Sequence, residues 1–365
     1  MKDKFKISGS KTMRYIIFLL LTPVLLNGQI DFSKVKRGSL PRLSEMEQEV
    51  QKGSFENITS ILVAQHGKLV YERYFNGTDS LSKHNTRSAT KSMATLLLGI
   101  AIQQGYIGSE QDRFSKYLRP LEPIRNPDPR KMEITIEDLL TMSSLLECDD
   151  SNQFSRGNEE RMYLIEDWLQ FFVNLPIRAF TFNPKPEEQP YGRSMSYCSA
   201  GAAALAEVLQ GAVQRPLDAF AGENLFEPLQ VGNYKLDHTP TGVLNTAGGS
   251  EYRSRDLLKF IQLLLQKGSW NGRQLMSPEW VLKATTPKVN ARPGTDYGYL
   301  LWLREYGKAK KYPSFAMAGN GGQKILAIPE LDLSVVITTT NYGNRKAHAY
   351  TDSIMDEYIV PAFAP

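Results

Sequence analysis

Hydrophobic and polar positions follow three regimes along this chain. Two β-rich runs, Ile58–Gln65 and Lys68–Phe75, flank His66-Gly67 and predict a hairpin. From Ser88 to Gln104 the apolar residues Met93, Leu96, Leu97, Ile100 and Ala101 repeat with a helical period, and Gly105 stops the run. Leu98, Gly99 and Ile102 carry the apolar character round the other side, so this helix is expected to be buried on nearly every face. Between Tyr106 and Pro240 the character changes. Proline-rich loops alternate with short helical patterns at Thr135–Met142, Asn158–Val173 and Ala200–Gln210, and strand signals are scarce. An amphipathic helix follows at Arg253–Leu265. The last quarter is β-rich again, at Tyr297–Leu303, Ser314–Ala318, Lys324–Pro329 and Leu333–Thr340, with a turn at Asp332 and a helical pattern at Tyr350–Ile359. A short helix is expected earlier, at Ser44–Gln51.

Strand segments at both ends of a helical middle predict an α/β (α+β) fold. One antiparallel sheet would be built from the N- and C-terminal segments and flanked by helices, with a mostly helical domain inserted between its halves. The expected divisions are a lead-in over 29–57, a sheet-containing domain from 58–105 and 241–365, and a helical domain over 106–240. A ligand cleft is expected where the insertion meets the sheet.

Composition changes this picture mainly at the start of the chain. The 365 residues are 41% hydrophobic and 22% charged, ordinary for a globular protein. The net charge is +4, and residues 1–28 account for all of it, with five cations against Asp3. The neutral remainder gives no electrostatic basis for binding nucleic acid or an anionic membrane. The basic start leads into the apolar run Ile16–Leu26, too short to span a bilayer, and then Asn27-Gly28. This order predicts a signal peptide over 1–28 and export to the periplasm or beyond; Met13 can serve as the start, because the pattern needs only Arg14 onward. No cysteine follows the run to carry a lipid anchor. Neither Cys148 nor Cys198 has a metal-ligand spacing, and the four histidines show none either, so no metal or cofactor is expected. The cysteines either pair in an oxidising compartment or stand as separate buried thiols.

The candidate chemistry begins at Ser88 and Lys91. No GxSxG elbow occurs, and His84, read as a loop or surface histidine, has no carboxylate placed to orient it, so a Ser-His-Asp triad is disfavoured. A serine and lysine three apart share one helix face, and a lysine buried there can lose its proton and act as base. That spacing occurs four times here, at Ser8/Lys11, Ser33/Lys36, Ser80/Lys83 and Ser88/Lys91, but only the last opens a buried helix. The competing reading is a capping serine beside a lysine that reaches solvent. Tyr197-Cys198-Ser199, before the small-residue helix, offers a hydroxyl to relay a proton. Ala318-Gly319-Asn320-Gly321-Gly322-Gln323 offers either a close approach for a ligand or simply a tight turn.

Taken in order, Ser88-Ala-Thr-Lys91, Tyr197-Cys-Ser199 and Asn320-Gly-Gly322 resemble the SxxK, YxN and KTG/HxG motifs of class C β-lactamase-like serine hydrolases. That family includes penicillin-binding DD-peptidases, esterases and 6-aminohexanoate-oligomer hydrolases. Ile136–Ser144, Ala247-Gly-Gly249 with Arg255-Asp256, and Trp270–Gln274 are also similar to it. The resemblance implies Ser88 as acylated nucleophile, Lys91 as base and Tyr197 as proton relay. It implies Ser199 as a polar partner of Lys91 and substrate, an oxyanion hole from the N–H groups of Ser88 and Gln323, and substrate contacts at Asn320, Gly321 and Gly322. Ser199 stands where the family has asparagine, and Asn320 where β-lactamases and DD-peptidases place a cation that holds the substrate carboxylate. The expected partner is therefore a small ester or amide without that carboxylate; the alternatives are a DD-peptidase or β-lactamase, or a non-catalytic penicillin-recognition-like domain. The resemblance also places both cysteines beside the cleft, where a Cys148–Cys198 disulfide would lie.

Overall fold

The computed structural model describes residues 30–32, 40–180 and 184–365; the expected signal peptide lies outside them. Helix α1 (Pro41–Gln51) begins earlier than its pattern suggested, since Pro41 suits the first helical position. Strands β1 (Ile58–Gln65) and β2 (Lys68–Tyr74) form the expected hairpin around His66 and Gly67, both left-handed. After β3 (Lys83–Asn85), a tight turn over Arg87–Thr90 leads into α2 (Lys91–Gln103). The middle of the chain supplies α3 (Ile136–Leu140), α4 (Glu159–Met162), α5 (Trp168–Asn174), α6 (Ser199–Val213) and α7 (Leu217–Ala221). Next come β4 (Glu251–Arg253), α8 (Ser254–Leu265), the small pair β5 (Ser269–Trp270) and β6 (Arg273–Gln274), and α9 (Pro278–Ala284). The last strands are β7 (Val289–Arg292), β8 (Thr295–Tyr297), β9 (Trp302–Tyr306), β10 (Tyr312–Gly319), β11 (Gln323–Ile328) and β12 (Leu333–Thr339). Helix α10 (Ala347–Ser353) runs on to α11 (Val360–Phe363).

Eight of the described strands form one antiparallel sheet in the order β2-β1-β12-β11-β10-β9-β8-β7. Segments from the two ends of the chain pair one strand in from the β2 edge, where Ile61 faces Ile337 and Val63 faces Val335. Each sheet face buries its own core. One side packs α2, α6 and α8, and the other packs α1, α10 and α11. Helix α2 is buried nearly throughout, as its apolar pattern required. It packs closely against α9: a Cβ on Gly99 would sit 2.4 Å from the Trp280 ring.

Three expectations are corrected. The helical pattern Asn158–Val173 breaks into α4 and α5, because the Asp167 carboxylate caps a new helix by accepting from the Gln170 N–H. The strand expected at Tyr297–Leu303 is two strands, interrupted where Leu300 turns left-handed (φ 51°). His84 is not a surface residue: it is 5% exposed on β3, its Nδ1 meets Thr59 Oγ1 at 3.2 Å, and burial pushes its pKa down to about 4.

Candidate active site

The turn before α2 sets the first group. Arg87 takes a left-handed conformation (φ 50°), its N–H held by Asn85 Oδ1 at 2.9 Å and its guanidinium 4.1 Å above the Tyr342 ring. This constrained residue delivers Ser88, half-buried, to the floor of a cleft. One turn on, Lys91 is 1% exposed. Its Nζ lies 3.3 Å from Ser88 Oγ, donates to Ala247 O at 2.5 Å, and sits 5.2 Å from the Tyr197 ring centroid. Ser88 and Lys91, three residues apart, therefore meet Tyr197 from a distant part of the sequence. Tyr197 is braced by Trp302, stacked at 5.8 Å and 25°.

The strand opposite Ser88 is β10. A Cβ placed on Gly319 would fall 2.2 Å from Thr86 O and 3.2 Å from Ser88 N, so only glycine lets the strand end approach the serine turn. Asn320 follows, lining the cleft with Ser88. Neither Ser88 N–H nor Asn320 N–H has a hydrogen-bond acceptor among the described residues. Gln323 does not take the expected oxyanion role. It pairs with Gly319 in the β10–β11 ladder, and its side chain is locked to Thr339, donating at 2.7 Å and accepting at 3.2 Å. Gly321 (φ 88°) and Gly322 (φ 84°) are likewise not cleft residues. They form the hairpin turn and pack against Asn341, Tyr342 and Ala347, so the tight-turn reading holds for them.

Ser199 is also displaced from its expected role as partner of Lys91. As the first residue of α6 it is fully buried, its hydroxyl donates to Glu159 Oε2 at 2.9 Å and its N–H to Asp150 Oδ2 at 2.8 Å. Two carboxylates thus stand behind the second motif, neither singled out by the sequence. Their only signal was the acidic pair Asp149-Asp150 next to a cysteine of the cleft. Asp150 also accepts from Glu159 N–H at 3.1 Å, and its own N–H donates to Tyr197 O at 2.9 Å. The Cys148–Cys198 disulfide fastens these two segments, with Cα atoms 5.3 Å apart.

Burial pushes the Asp150 carboxyl up to about 6, against the Ser199 hydrogen bond and the charge of Lys91, which act to lower it. The folded chain holds this proton more tightly than a carboxyl of ordinary pKa 3.8 would, so the resulting stability is present below pH 3.8 and lost as pH rises through about 6. For activity the sign is opposite. The ionised carboxylate accepts the two N–H groups that fix Glu159 and Ser199, and protonation weakens both bonds. We expect kcat/KM to fall on acidification through pH ~6, and the Asp150→Asn variant to lack that limb; an unchanged profile in the variant would refute the assignment.

The cleft extends on both sides of Ser88. One chamber, about 280 Å³, runs past Tyr197 and Trp302 across the sheet toward α10; the other, about 530 Å³, runs toward Arg87, Asp237 and Glu251. Among the described residues no group of three or more His, Cys, Asp or Glu is placed to hold a metal.

Such a sheet, with the cleft against β10, is the β-lactamase fold. The Beta-lactamase family model matches residues 48–358, and the chain belongs to that family. Its fold is similar to a putative 6-aminohexanoate-dimer hydrolase from Bacillus anthracis (TM-score 0.68, 17% identity, covering 92% of this chain and 86% of that one). It is also similar to a D-stereospecific amidohydrolase from Streptomyces sp. (0.64, 16%, 87% and 98%) and a penicillin-binding protein from Bacillus halodurans (0.63, 15%, 86% and 98%). No curated protein sequence matches the chain.

Proposed function

We propose that the protein is an exported serine hydrolase that cleaves an ester or amide through an acyl-enzyme on Ser88. The observation that carries this reading is the buried Lys91 Nζ, 3.3 Å from a half-buried Ser88 Oγ. Ala247 O engages one N–H of the amine, which leaves the lone pair of the neutral form free to turn toward the serine. Lys91 takes the Ser88 proton as Oγ bonds to the carbonyl carbon. The negative oxygen then lies between the N–H groups of Ser88 and Asn320, two donors that have no acceptor among the described residues. Tyr197 passes a proton to the departing alcohol or amine, and water later releases the acid from Ser88 by the reverse route. The disulfide beside the cleft suits a chain that matures in an oxidising compartment.

Intact-mass measurement after incubation with a panel of esters, lactams and amides tests the proposal. At least one member is expected to add its acyl mass, mapped to the peptide containing Ser88. An unmodified mass across the panel, or an adduct on another residue, would reject it.

A further inference from the structure

The chamber running from Ser88 toward α10 has an unusual wall. The segment of β10 opposite the serine, Ala316 to Gly319, carries no charge, and Asn320 spends its side chain accepting from Gly343 N–H at 2.8 Å. Positive charge lies farther out, on the strands around it. Lys324 on β11 faces Ala318 across the ladder, and Arg304 on β9 faces Ser314. Both share a single carboxylate, Asp352, which Arg304 reaches at 2.6 Å and Lys324 contacts directly. The other acids of that helical segment are engaged elsewhere: Asp356 accepts from Gly307 N–H at 2.7 Å, and Glu357 pairs with Lys308 at 3.7 Å. Arg304 Nε is buried with no hydrogen-bond partner among the described residues.

A third cation closes the outer side. Arg292 on β7 lies 5.3 Å over Trp302, whose other neighbour in the stack is Tyr197, and it makes no ion pair among the described residues. Its neighbour Asp296 is committed to Asn290 and Tyr191. His348 adds no charge near neutrality, because burial and then Lys324 push its pKa down to about 4. Burial likewise brings Lys324 down to about 8, in spite of Asp352, so an added anion would favour its charged form. Two of the three cations share Asp352, and the other carboxylate lining the chamber, Glu159, accepts from the Ser199 hydroxyl; beside a stacked aromatic pair this surplus of cations suits a planar anion.

We propose that this chamber holds a carboxylate belonging to the substrate, taken up by Arg292 and Arg304 with Lys324 behind them, several bonds away from the carbonyl that Ser88 attacks. The proposal rests on Ser88 being the nucleophile. It reverses the expectation drawn from the neutral Asn320. Charge absent from the turn is supplied farther out, by Lys324 one strand away (~4.8 Å), by Arg304 opposite Ser314 and by Arg292 three strands off on β7, which sets the acid back from the scissile bond. The substrate class is then an ester or amide with a remote acid group on its acyl or its leaving fragment.

The test compares matched esters on the purified full chain. For an acyl-side acid, mono-p-nitrophenyl glutarate is set against p-nitrophenyl butyrate; for a leaving-group acid, para-acetoxybenzoate is set against phenyl acetate. In one of the two pairs the acidic ester should be favoured in kcat/KM by about tenfold, and Arg292→Gln should bring that ratio close to one. Arg292 is exposed, so its replacement does not endanger folding. No acidic preference in either pair, or a preference that survives Arg292→Gln, overturns the subsite. If no ester is turned over, esterase activity is excluded separately from the subsite, and glutarate dianion alone decides the subsite. A rise in melting temperature with wild type but not with Arg292→Gln keeps it, and no rise with wild type removes it.

Discussion

Lys91→Ala and Ser88→Ala are each expected to lower kcat toward p-nitrophenyl acetate by about 10³-fold or more, and the double variant to lose nothing further. The reason is that the two side chains act as one unit. A serine hydroxyl is a weak nucleophile until a base takes its proton, and here the only nitrogen within hydrogen-bond reach of Ser88 Oγ among the described residues is Lys91 Nζ. Without the lysine the hydroxyl stays protonated; without the hydroxyl the lysine has nothing to activate. Losses that multiply in the double variant would show two independent contributions and refute the pairing. Lys91→Ala leaves Ala247 O without its donor, so circular dichroism of each variant separates a chemical loss from an unfolded one.

The second large effect is expected at a residue with no side chain. Gly319→Ala should cut kcat by about 10²-fold while KM changes little. The new Cβ would lie 2.2 Å from the Thr86 carbonyl, a backbone atom that cannot swing aside, and 3.2 Å from Ser88 N. The strand end must then retreat from the serine turn, and the Asn320 N–H retreats with it. Two donors set for an oxyanion are pulled apart, so the transition state suffers more than the bound substrate. Steady-state kinetics on a variant with a wild-type fold would settle this; an unchanged kcat would exclude the pairing of Ser88 and Asn320 as oxyanion donors.

Much of this architecture was legible because it follows periodicity. The β1–β2 hairpin, the largely apolar α2 and the terminal strands all announce themselves in the hydrophobic pattern, and the sheet follows from where they fall. Ser88, Lys91 and Tyr197 were legible through their context, a buried helix and a small-residue helix start. What escaped depended on register. Gln323 closes the β10–β11 ladder opposite Gly319 and is tied to Thr339, while Asn320 falls in the turn beside Ser88, a division set by the pairing register. Ser199 was misassigned for a related reason: Asp150 and Glu159 reach it from other segments, and no local pattern encodes that meeting. Lys324 left a trace that went unread, a lysine opening the apolar run of strand β11 and buried where a charge needs a partner.

The pairing of β1 with β12 has a consequence for how the protein is made. Ser88 and Lys91 leave the ribosome early, but Ile58 must wait for Thr339 before its strand gains its neighbour, and Gly319 arrives little sooner. Until then a nascent chain carries β1, buried along almost its whole length in the finished fold, with an open edge. Closing so long a loop is slow, and the waiting hairpin is the segment most in need of chaperone cover during synthesis. Ser88 and Lys91 thus emerge long before Asn320, so the proposed hydrolytic competence would appear only when nearly the whole polypeptide has emerged.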